Sequence, residues 1–183
     1  MKLTKLAIAS VFAVSMIPLS SVANNTGTVN FTGTVVNTPC NIEQSSLKQT
    51  VDFGQLSRKA LESGQAAETD FDIKFTGCDF TNFLADDADE PGAVKSMDLV
   101  FTGQNYADDA NSLLATSTGN TNNLGIAIDG FKFGEAKDVL PSIVNLKGDN
   151  TLTFKALAKA VDTSKPVSEG KFNAISNFRI TYQ

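Results

Sequence analysis

Apolar side chains recur at every second position in short runs along most of this chain. Val29, Phe31 and Val35 do so across "TVNFTGTV", and Val51 and Phe53 follow in "TVDFGQL". Phe71, Ile73 and Phe75 alternate with Asp72, Lys74 and Thr76, and Leu99 and Phe101 repeat the pattern in "MDLVFTG". Further runs are "LGIAIDGFKF", "TLTFKALAKAV" and "KFNAISNFRITYQ". A period of two in β-branched and aromatic residues marks strands with one face buried. The clusters "TGNTNN", "KGDN" and "DTSKP" are expected to separate them. One helical turn is expected, in "LSRKALESG", ended by Gly64. Many short strands with turn signals predict an all-β sandwich or barrel. The acidic stretch Asp86 to Glu90, followed by Pro91 and Gly92, reads as an exposed loop within 84–92.

The longest alternation comes last. Phe172, Ala174, Ser176, Phe178, Ile180 and Tyr182 fall on one face, and Lys171, Asn173, Asn177, Arg179 and Thr181 on the other. A strand in this position needs neighbours on both sides, or it presents an open apolar edge. The run before Cys40 admits two readings. It is the first strand of the chain's own sandwich, the commoner case, or a strand made for another molecule. Periodicity does not choose between them.

The first residues have a different character. Lys2 and Lys5 precede an almost wholly apolar or small stretch from Leu6 to Leu19, and Ser21, Val22 and Ala23 give a small-x-small cut pattern before Asn24. This predicts a secretory signal peptide over 1–23. The apolar run is shorter than the roughly 20 residues a bilayer span requires. The mature chain is then 24–183, with thirteen basic against twenty acidic side chains. In an oxidising compartment the two cysteines, Cys40 and Cys78, are expected to pair.

Composition narrows the chemistry. The 183 residues include no His and no Trp, and the net charge is −5. Without His, no His-based catalytic arrangement or His-ligated metal site is available. Two cysteines cannot alone form a four-thiolate centre. The acidic balance argues against nucleic acid and anionic membranes as partners. Carboxylate pairs remain, at Asp86, Asp87, Asp89 and Glu90 and at Asp108 and Asp109, but they cluster in loop-like stretches with the character of solvated surface. Asp87, Asp89 and Gly92 only faintly match a calcium loop, because Pro91 takes a ligand position. No enzyme, cofactor or metal is expected.

Three blocks, in order, resemble a known family. "GTVNFTGTVVNTPC" places Gly33 seven residues before the first cysteine. "VDFGQLSRKALESGQAAETDFDIKFTGC" brings the second just after an F-x-I-x-F run. "GKFNAISNFRITYQ" has Gly170 fourteenth from the end and Tyr182 penultimate. The chain resembles the pilins of Gram-negative fimbriae assembled by the chaperone–usher route, of the type 1 and P-pilus kind, over essentially the whole of 24–183.

The resemblance implies an incomplete immunoglobulin-like β-sandwich that lacks its last strand. It implies a donor-strand extension over 24–39, with Val29, Phe31, Gly33 and Val35 as the inserting face, ahead of a pilin domain over 40–183. Gly170, Phe172, Phe178, Ile180 and Tyr182 are the implied chaperone and acceptor-groove residues. The implied partners are a periplasmic chaperone, an outer-membrane usher and neighbouring pilin subunits, with export through the periplasm to a surface fimbria. A contact in which each subunit donates to one neighbour and accepts from another does not close, so it makes a filament. The expected role is the major shaft subunit. A minor adaptor or terminator pilin and a secreted carbohydrate-binding sandwich are the alternatives.

Overall fold

A computed structural model of the chain describes residues 27–85 and 89–183. The expected signal peptide, residues 24–26 of the expected extension, and residues 86–88, with Asp86 and Asp87 of the acidic stretch, lie outside the described residues. The chain divides into two units, Met1–Val35 and Val36–Gln183. Within the first, residues 27–35 carry no secondary structure, and Val29, Phe31 and Val35 are 73, 92 and 100 % exposed. The alternation of this run therefore does not make it a strand of the chain's own sheets. Alternation creates an apolar face, but a strand also needs a ladder partner.

The second unit is built from β1 (Asn41–Ile42), α1 (Gln44–Leu47), α2 (Arg58–Glu62), β2 (Ala67–Asp79), β3 (Met97–Gly103), β4 (Leu114–Ala115), β5 (Leu124–Ile128), β6 (Lys137–Asp138), β7 (Lys147–Ala160) and β8 (Ser176–Tyr182). Two antiparallel sheets result, in the orders β1-β2-β7-β5-β4 and β6-β3-β8. This is an all-β, immunoglobulin-like sandwich without its final strand.

The long ladder between β2 and β7 pairs Phe71 with Phe154 and Ile73 with Leu152. The inward positions of β7, from Asn150 through Leu152, Phe154, Ala156 and Ala158 to Ala160, are all buried. Phe101 of β3 is the hub between the sheets. Its ring meets Phe71, Phe131 and Phe154 at 6.1, 5.0 and 5.5 Å, all three edge-on at 78, 87 and 80°. Such edge-to-face contacts add about 0.5–1.5 kcal/mol each beyond the area they bury. The Cys40–Cys78 disulfide closes one pole of the unit, where the Asp79 amide donates to the Pro39 carbonyl (2.9 Å).

Four expectations need correction. "TVDFGQL" forms no strand, because no ladder among the described residues includes it. "KGDN" is no turn: Lys147–Asn150 begin β7, and Gly148 (φ 118) pairs with Cys78 across a register shift in β2. "LGIAIDGFKF" is a strand only to Ile128, because Gly130 (φ 73) turns the chain. The final strand begins at Ser176 rather than Lys171. The expected helical turn is α2, with Ser57 as N-cap and Gly64 at φ 88.

Candidate functional site: an open groove along the last strand

β8 pairs on one side only. Its seven residues match β3 from Met97↔Tyr182 to Gly103↔Ser176. The other edge has no ladder partner among the described residues. The inward row shows the consequence: Phe172, Ala174, Phe178, Ile180 and Tyr182 are all only half-buried, whereas the corresponding row of β7 is buried. The sequence makes this row apolar and the fold leaves it half open, beside an edge of the kind to which a further strand can add.

The opening beside β8 is a groove of about 590 Å³. One wall is β8 with residues 172–175. The other is the segment around Gln49, Val51 and Phe53. Phe71, Phe101, Leu114, Ile126, Ile128 and Ala156 form the floor. A second volume of about 820 Å³ adjoins it through Thr50, Val51, Phe53, Phe172 and Asn173, and reaches Leu56, Leu61, Leu124, Val167 and Gly170. Together they run from the end of β8 to the α2 pole.

Each wall is held from behind. Gln49 Nε2 donates to the carbonyls of Asp72 (2.7 Å) and Ser46 (3.1 Å), and Ser46 Oγ accepts from the Lys74 amide (3.0 Å). These bonds tether the wall around Gln49, Val51 and Phe53 to β2 without a ladder. At the α2 pole, Glu62 Oε1 accepts from the Val167 amide (3.0 Å), and Arg58 pairs with Glu62 and Glu169. The buried Asn123 side chain donates to the carbonyls of Asp162 and Lys165 and accepts from the Asp162 amide. Asp162 also accepts from Ser164, which holds its carboxyl down at about 2. Gly170 sits at φ 131, a conformation closed to other residues without strain. A Cβ on Gly103 would collide with Leu114, so a glycine there lets Leu114 into the floor.

The far end of β8 is closed. The Gln183 amide donates to the Ser96 carbonyl (3.1 Å), and the Gln183 carbonyl accepts from the Lys95 and Ser96 amides. Tyr182 packs against Phe80 and Phe83, with centroids at 6.5 and 6.1 Å. Burial pushes its phenol up to about 12.

Of the residues singled out from sequence, Gly170, Phe172, Phe178, Ile180 and Tyr182 lie along β8 and the segment leading into it, and the second volume reaches Gly170. Val29, Phe31, Gly33 and Val35 lie in the other unit, where the position of a Cβ on Gly33 is open space. The wall around Gln49, Val51 and Phe53, as a groove wall, and the floor residue Leu114 escaped sequence reading. The signal for the wall was the Val51–Phe53 alternation, which is real but serves a groove rather than a ladder. Among the described residues no group of three or more His, Cys, Asp or Glu could hold a metal ion. No described helix is long and apolar enough to cross a membrane.

Comparison with known proteins agrees with this geometry. The chain is 39% identical to the KS71A fimbrillin of Escherichia coli over 171 residues, covering 90% of this chain and 88% of that one. It is 37% identical over 164 residues to the Pap fimbrial major pilin protein of Escherichia coli, covering 86% and 84%. A solved structure of a chaperone–usher pilus, described in relation to rod uncoiling, superposes with a TM-score of 0.66 at 30% identity, covering 89% of this chain and 99% of that one. The sequence model of the family described as fimbrial protein matches residues 29–183, and the chain belongs to that family.

Proposed function

We propose that this fimbrial subunit is the repeating unit of a fimbrial shaft on the cell surface, polymerising by strand donation between copies. The observation that carries the reading is the half-buried inward row of β8 beside an unpaired edge. After removal of 1–23, residues 24–39 act as the arm and 40–183 as the receiving domain. Val29, Phe31 and Val35 of one copy enter the groove of the next, and Gly33 passes where the backbone comes closest to the floor. Burying each of the three apolar side chains favours insertion by roughly 1.5–3 kcal/mol, offset by the cost of ordering the arm.

Direction follows from ladder chemistry. Every ladder of the domain is antiparallel, and antiparallel pairing is the more stable per residue. An arm antiparallel to β8 brings Val29 towards Tyr182 and Val35 towards Phe172. Before a neighbour arrives, a periplasmic chaperone covers the same edge, and an outer-membrane usher is where one strand replaces the other. The role requires structure and exchange, and no catalysis.

The test is a thermal melt of two oxidised proteins, residues 40–183 alone and the same domain with residues 24–39 linked flexibly after Gln183. The expected result is a far more stable, monomeric second protein. Equal melting would mean that the fold is already complete and would overturn the reading.

A further inference from the structure

The exposed large apolar side chains of the unit 36–183 occur in two places. Leu47 and Ile175 line the groove. The other four, Val36, Leu84, Val144 and Leu146, are 65, 45, 87 and 54 % exposed. Backbone and side-chain bonds bring their segments side by side. Asn37 Nδ2 donates to the Leu84 carbonyl (3.1 Å). The adjacent amides of Asp79 and Phe80 donate to the carbonyls of Pro39 and Leu146, both at 2.9 Å. The four therefore share one pole, the disulfide pole, at which the unit begins with Val36.

The loop that carries Val144 is built to hold it outward. The buried Asn150 side chain accepts from the Val144 and Asn145 amides (3.2 and 2.9 Å) and donates to the Asn145 carbonyl (2.7 Å). A loop fixed from beneath has already lost the freedom that docking would otherwise remove. An 87 %-exposed Val on so ordered a loop is a feature of contact surfaces rather than of free loop tips.

We infer that this pole is a second contact between successive copies, seated on the α2 pole of the next subunit where its groove opens. The inference rests on the strand-donation reading, which fixes the occupant. An antiparallel arm with Val29 opposite Tyr182 has Val35 opposite Ser176, so the residues that follow run towards Phe172 and leave at that end of the acceptor's groove. β2 separates the two poles by roughly 40 Å at about 3.3 Å per residue, so only the acceptor's α2 pole comes within reach. The half-buried Leu56 and Phe172 stand there as apolar partners for Val36, Leu84, Val144 and Leu146. The arm supplies the link, and the pole contact fixes the angle between neighbours.

Replacing Val144 in the full chain by the photoreactive residue p-benzoylphenylalanine tests this on assembled fibres. At so exposed a position the substitution leaves the fold intact. Illumination is expected to give covalent dimers whose adducts map to residues 54–58 or 167–172 of a second copy. Fibres that yield no dimers, or adducts elsewhere on the neighbour, would overturn the contact. A second variant, Val144→Asp with Leu146→Asp, is expected to leave arm-linked polymer intact while dissociating at lower denaturant, and unchanged dissociation would count against the proposal. Phe31→Asp separates the two ideas. Normal fibres from that variant would remove the strand-donation reading itself, whereas loss of fibres there with no cross-link in the Val144 experiment removes only the pole contact.

Discussion

Phe53 and Phe172 bring their rings within 6.1 Å of each other at 51°, each from an opposite wall of the groove. No ladder joins those walls among the described residues, so this aromatic contact helps to hold the open sandwich together at its α2 end. Phe172→Ala is expected to lower the free subunit's unfolding free energy by about 1–3 kcal/mol, less than the 3–5 typical of a fully buried Phe. Phe172→Leu should recover most of it. Urea unfolding of the purified subunit measures both, and a wild-type midpoint for Phe172→Ala would show the contact to be dispensable.

Phe101 and Phe178 share one rung of the β3–β8 ladder, yet one is 2 % exposed and the other half open. Phe101→Ala should cost about 3–5 kcal/mol in the free subunit. Phe178→Ala should cost clearly less there and more in the polymer, where the proposed donated strand would cover the groove face. Comparing denaturant midpoints of subunit and fibre for each variant checks this. Equal costs for Phe178→Ala in both states would mean that its surroundings do not change on assembly.

On the proposed strand-donation reading, Phe31→Asp would place a charge on the apolar groove floor, where it finds no partner. The expected outcome is folded, exported subunit and no fibre, read by electron microscopy and by the amount of subunit in the periplasm. Fibre at normal yield would remove Phe31 from the inserting face.

Tyr182 gives the fold a dependence on alkaline pH. Burial raises its phenol from 10.0 to about 12, so the neutral form is favoured in the folded state. The associated stability is fully present below pH 10 and is lost as pH rises towards 12. Roughly 2–3 kcal/mol is at stake. Phe in its place keeps the ring and removes the phenol. Tyr182→Phe should flatten this part of the stability profile and remove the tyrosinate step near pH 12 in an absorbance titration at about 295 nm.

Reduction of Cys40–Cys78 should matter through the unfolded chain. The bridge closes a loop with a sequence separation of 38, for which chain entropy gives roughly 4 kcal/mol. A double Cys→Ser variant is expected to lower the free subunit's stability by about that amount, measured by urea titration. Loss below about 1 kcal/mol would show that the reduced chain is constrained by other means.

Sequence reading found β2, β3, β7 and β8 because each combines alternation with a long ladder, and alternation is what a half-buried strand writes into a sequence. The same pattern assigned a strand over 51–53, and over 29–35 it left open a strand of the chain's own sheets or one made for another molecule. There the pattern is present and the ladder is not, because alternation records which face is apolar but not whose backbone lies alongside. α1 was missed, being four residues long with no period to detect. Asn123 and Asn150 were also missed. From sequence each is a turn residue, and only the fold shows them buried and holding loops from beneath. Gly103 was similarly silent, since its lack of a side chain acquires meaning only beside Leu114.

The groove lies along β8, and the arm proposed to fill it lies along the same line. Tension on a chain of such subunits would pull the arm lengthwise past β8 rather than peel it away from the edge. Every backbone bond of the seven-residue strand would then be loaded together instead of one after another. A thin strand held in shear resists force far better than the same strand unzipped, so mechanical strength comes from the direction of the last strand rather than from any unusually strong bond.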